Sequence, residues 1–68
     1  MKYVVIIEET GNGYSAYLPD LPGCVAAADT REETETLIRE AVTCHLEMLK
    51  ETGDHIPAPR SSAQLVEV

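Results

Sequence analysis

Residues 13–30, GYSAYLPDLPGCVAAADT, place two short β-like runs on either side of a proline-fixed corner and end on a helix-capping threonine. Pro19 and Pro22 each hold φ near about −65° and remove a backbone donor, so no regular ladder continues through them. Gly23 supplies the positive φ with which the chain swings back into a strand. Tyr14, Ala16 and Leu18 alternate with Ser15 and Tyr17, the period of a strand with one buried face. Residues 24–28 form a third, small-residued edge strand. Their alanines fit the start of a helix equally well by composition, but Asp29-Thr30 cap a helix more naturally.

Before the corner, residues 2–9 (KYVVIIEE) are rich in β-branched and aromatic side chains and run into the turn cluster Gly11-Asn12-Gly13. The short glycine-rich turn makes residues 2–9 and 14–18 an antiparallel hairpin. Tyr3, Val5 and Ile7 point to one face of the first strand, Val4 and Ile6 to the other. Both faces are apolar, which predicts a central strand covered on both sides. One helix cannot cover both, so the pattern argues for a dimer or tetramer.

After the corner, Thr30-Arg31-Glu32-Glu33 fits a capping box, with acidic residues suited to the first turn of a helix. Leu37, Ile38, Ala41, Val42, His45, Leu46 and Leu49 then recur at helical spacing over residues 31–52. Gly53 supplies the stop. The connector DHIPAPRSS, residues 54–62, is extended because its alternating prolines forbid helix. Residues 63–68 complete the pattern as a last strand, with Gln64, Val66 and Val68 opposite Leu65 and Glu67. The predicted fold is α+β, in the order β-β-β-α-β. A right-handed crossover sets the last strand parallel to the first, giving a four-stranded mixed sheet with one long helix on one face. The whole chain, 1–68, is a single domain.

A chain of 68 residues buries only about 60% of its unfolded surface and is marginal without help. Cys24 and Cys44 are too sparse for a disulfide scaffold. Two reduced, packed thiols are expected, and a bridge stays open, since a strand and the helix packed on it can touch. Self-association is the remaining source of stability. The first apolar run ends at Glu8-Glu9, far short of the about 20 residues a membrane span needs, and no signal peptide is present. No membrane association and a cytoplasmic location are expected. The net charge of −7 opposes direct nucleic-acid binding, which needs clustered Lys and Arg. It suits a basic protein partner and equally a solvated acidic surface.

No catalytic motif stands out. Gly11-Asn12-Gly13 leads into a strand rather than a helix, so it reads as a hairpin turn and not a dinucleotide loop. Cys24, Cys44, His45 and His55 match no zinc spacing, and adjacent helical residues leave about 100° apart. Asp29, at a strand-to-helix junction, is the one carboxylate placed as a metal-dependent nuclease would need, and a pre-cap role accounts for it. Tyr3, Tyr14 and Tyr17 lack the accompanying cations of a base-stacking platform. No cofactor, metal or catalytic residue is expected.

Tyr17-x-Pro19-Asp20-Leu21-Pro22-Gly23-Cys24, Asp29-Thr30 at the helix start and Ile56-Pro57-x-Pro59 after it together resemble the HicB-like antitoxin family, over nearly the whole chain. That resemblance implies a truncated RNase H-like fold without nuclease activity. It also implies a protein-binding module that neutralises a small basic mRNA-cleaving HicA-type toxin by covering its active surface. The partner-binding residues it points to are Tyr17, Pro19, Asp20, Leu21, Pro22, Gly23 and Cys24, with adjoining acidic groups. Two departures stand out. No DNA-binding segment of the kind many family members carry beyond this point is expected after Val68, so promoter binding is not carried over. Ala28 stands where the family often has glycine. A stand-alone oligomeric scaffold of the same fold, without a toxin partner, is the alternative.

Overall fold

The computed structural model describes all of residues 1–68. Three strands, β1 (Ile6–Glu9), β2 (Tyr14–Tyr17) and β3 (Val25–Ala28), precede one helix, α1 (Arg31–Thr52). The sheet is antiparallel in the order β1-β2-β3, with Ile7 opposite Ala16 and Ala16 opposite Ala26. The hairpin turn is closed by the Thr10 N–H donating to the Gly13 carbonyl at 2.8 Å. Gly13 is required there by space: a Cβ on it would collide with the Ala28 carbonyl.

Both helix ends are fixed by local chemistry. Thr30 is extended and its hydroxyl accepts the Glu33 N–H at 3.1 Å. The reciprocal half of the expected capping box is not made, and Glu33 stays exposed. At the other end Gly53 takes φ 73°. The Gly53 N–H then donates to the Lys50 carbonyl and the Asp54 N–H to that of Leu49, the paired bonds of a Schellman cap.

The core is small. Ala16, Leu18, Leu21, Cys24, Ile38 and Thr34 are the six buried residues, with Tyr3, Ile7, Ala26, Ala41, Val42 and Leu46 packed around them. Thr34 is wholly buried because its hydroxyl donates to the Thr30 carbonyl at 2.8 Å, which satisfies its polar group inside the helix's first turn. The helix lies across β3 and β2. It leaves β1 uncovered and opens a groove of about 430 Å³ between β1 and α1.

Four features of the predicted architecture are corrected. The sheet has three strands, not four: residues 63–68 lie extended and exposed with no ladder partner. The strand expected over residues 2–9 is ordered in the sheet only at Ile6–Glu9. It lies at an edge rather than at the centre, because β2 pairs with both neighbours. Its second face, carrying Val4 and Ile6, has no covering layer within the chain. Leu37, expected inside, sits at the flank of the helix beside β3 and stays exposed. Pendant residues 62–68 and a helix of about 33 Å over strands of about 13 Å give a radius of gyration of 13.1 Å, against about 11 Å for a compact chain of this size.

Candidate functional site

The proline corner is built from two consecutive turns. The Leu21 N–H donates to the Leu18 carbonyl at 3.2 Å and the Cys24 N–H to the Leu21 carbonyl at 3.1 Å. The Leu18 N–H reaches the Cys24 carbonyl at 3.3 Å and closes the loop. Prolines suit the intervening positions because those need no donor. Leu18, Leu21 and Cys24, three residues apart, all turn into the core, while Pro19, Pro22 and Gly23 face solvent. Gly23 adopts φ 86°, the left-handed conformation expected of it.

Of the seven residues singled out from the sequence, Tyr17, Pro19, Pro22 and Gly23 are exposed. Leu21 and Cys24 are packed inside and set the shape of the corner instead of forming its surface. Burial pushes the Cys24 thiol above its ordinary pKa, which keeps it protonated and unreactive. Cys24 and Cys44 are both free, the first buried and the second exposed.

Asp20 has a role that sequence alone did not disclose. One carboxylate oxygen accepts the N–H groups of Arg60 and Ser61, each at 2.9 Å, and the other accepts the Ser61 hydroxyl at 2.9 Å. These bonds hold the Asp20 carboxyl below the ordinary carboxylate range, the Ser61 N–H foremost, then that of Arg60, then the Ser61 hydroxyl and the Arg60 charge. Partial desolvation opposes them. A second tether lies nearby, where the Tyr3 hydroxyl donates to the Pro57 carbonyl. The extended connector is thus clamped to the end of the sheet at which β1 begins. The Pro-x-Pro spacing and the acceptor Asp20 were visible separately, but no local rule couples positions 40 residues apart.

Glu8, Glu9, Asp29, Glu32 and Glu33 gather at the hairpin end, with Arg31 beside them held to Glu35 at 2.9 Å. The corner lies at the opposite end of the strands. Asp29 is exposed next to the helix cap. No three His, Cys, Asp or Glu side chains gather into a group that could hold a metal ion. No helix is long and apolar enough to cross a membrane.

This is an α+β domain with one helix laid on a three-stranded antiparallel sheet, a shape shared with a solved structure. It superimposes on a chain of the HicA3 and HicB3 toxin-antitoxin complex with a TM-score of 0.73 and 32% identity, covering 88% of this chain and 70% of that one. The model of the HicB-like antitoxin of bacterial toxin-antitoxin systems matches residues 3–68. A UPF0150 protein of Thermoplasma acidophilum is 38% identical over 100% of this chain and 97% of its own length. An uncharacterised 14.9 kDa protein of Haemophilus phage HP1 is 33% identical over 97% of this chain. Antitoxin HicB 2 of Photorhabdus laumondii is 30% identical over 94% of it. The chain spans about half the length of the last two relatives. It belongs to the HicB-like antitoxin family.

Proposed function

We propose that this domain is the toxin-binding part of an antitoxin: a non-enzymatic module that neutralises a small basic mRNA-cleaving protein by covering its active surface. The observation that carries the reading is the likeness to a chain solved in a toxin-antitoxin complex, at 32% identity over 88% of this chain. The acidic hairpin end supports it, since a net charge of −7 steers a basic partner toward the domain and repels nucleic acid. The corner supplies a second, rigid contact surface through Tyr17, Pro19, Pro22 and Gly23. Leu21 and Cys24 act from beneath by holding its shape, and Asp20 by holding the connector.

The test is co-expression with the product of an adjacent small basic reading frame. The expected result is a co-purifying complex and relief of growth inhibition. No complex and unrelieved toxicity would sink the proposal. Tyr17→Ala combined with Pro22→Ala should weaken the complex about tenfold if the corner is a contact surface, with the fold unchanged by circular dichroism.

A further inference from the structure

The open edge of the sheet and residues 63–68 complement each other. β1 has a neighbour on one side only. Thr10 and Gly13 bond across the turn, so antiparallel alternation directs the backbone groups of Glu8 and Ile6 toward β2 and those of Ile7 and Glu9 toward the open side. Above that edge runs the groove between β1 and α1, lined by Val5, Ile7, Val42 and Leu46. Residues 62–68 are exposed throughout, with Leu65 and Val68 as bare as in an isolated chain. Their sequence nevertheless alternates as a strand, with Val66 and Val68 on one face. A sheet edge left unpaired presents free backbone donors and acceptors to which another chain can add.

Pairing within one chain meets two obstacles. The clamps at Tyr3–Pro57 and Asp20–Ser61 release the tail at the end where β1 begins. Residues 62–68 reach at most about 23 Å, too short to run to the far end and return antiparallel. Only a parallel placement is within reach, and it brings Glu67 toward Glu8 and Glu9, like charges side by side. A tail arriving from another molecule is free to run antiparallel, which sets Glu67 near Lys2 and lays Val66 and Val68 along the groove.

We propose that residues 63–68 of a second copy of this chain add as an antiparallel strand to the open edge of β1. The exchange is reciprocal and joins two copies about a twofold axis. It supplies the apolar burial that a chain with only six buried residues lacks. The inference is independent of any toxin partner.

Sedimentation equilibrium of the full chain at micromolar concentration should give a dimer. Two variants separate tail from edge. One lacks residues 63–68; the other carries Val5→Pro, which removes an outward N–H at a half-exposed position without touching a β1–β2 bond. Each alone should dimerise at least about 100-fold more weakly. Mixed in equal amounts, with one carrying a size tag, they should form a heterodimer, because one retains the edge and the other the tail. Should the shortened chain lose its helical circular dichroism, the full-length Val66→Lys, Val68→Lys double variant takes its place. A monomeric full chain, variants that still dimerise, or a mixture without heterodimer would each overturn the proposal.

Discussion

Two stretches of this chain each carry a pair of prolines, and they behave in opposite ways. The corner at residues 18–24 closes on itself through three backbone bonds and sends Leu18, Leu21 and Cys24 into the core. The connector at residues 54–62 has no such closure and is held by Tyr3 and Asp20. Prolines restrict φ in both, yet only one stretch is fixed by its own sequence. A restricted backbone becomes a fixed one when its remaining donors find acceptors nearby and its apolar residues find a core.

That contrast can be broken at the corner first. Leu21→Ala removes a side chain with no exposure at all and should cost about 2–4 kcal/mol, read as a lowered denaturation midpoint. In so small a domain that loss is a large share of total stability. Gly23→Ala has no steric neighbour to meet, so its effect isolates the positive φ. It should cost about 1–2 kcal/mol by the same measurement. Equal and negligible effects for both would show that the corner is not the rigid element.

At the connector, substitutions should free the tail while leaving global unfolding nearly unchanged. Asp20→Asn removes the charge behind three hydrogen bonds and should speed tryptic cleavage after Arg60 several-fold. The same clamp should depend on pH. Because Asp20 has a depressed pKa in the folded chain, its hold is complete above the ordinary value of 3.8 and is lost as pH falls through the lower folded value. The Ser61 amide signal in an NMR titration should follow that step. Tyr3→Phe removes the single bond to Pro57 and should have the smallest effect, about 1 kcal/mol or less, seen as faster amide exchange in the connector. A global loss of stability from either variant would erase the distinction between the two proline stretches.

The corner, the hairpin and both helix ends were legible because their rules act over a few residues: Gly23 needs its positive φ, Thr30 its neighbouring N–H, Gly53 its left-handed cap. Thr34 was missed: it precedes Ile38 by one helical turn, but its hydroxyl disguised a core position. The edge placement of β1 was not legible. Val4 and Ile6 are apolar on the second face whether a layer of this chain or another molecule covers them. Asp20 illustrates the same limit at the candidate site: its type suits a turn, and its partners lie 40 and 41 residues onward.

By itself, the sequence determined the order of the first three strands and the helix, the shape of the corner, the limits of the helix and the acidic balance, all governed by backbone sterics, local hydrogen bonds and charge count. Only the tertiary structure decided that the sheet stops at three strands, that β1 lies open beside a groove and that Asp20 holds the connector. Those outcomes depend on which distant groups meet, and a strand-like segment such as residues 63–68 carries the same alternation whether or not an edge is within its reach.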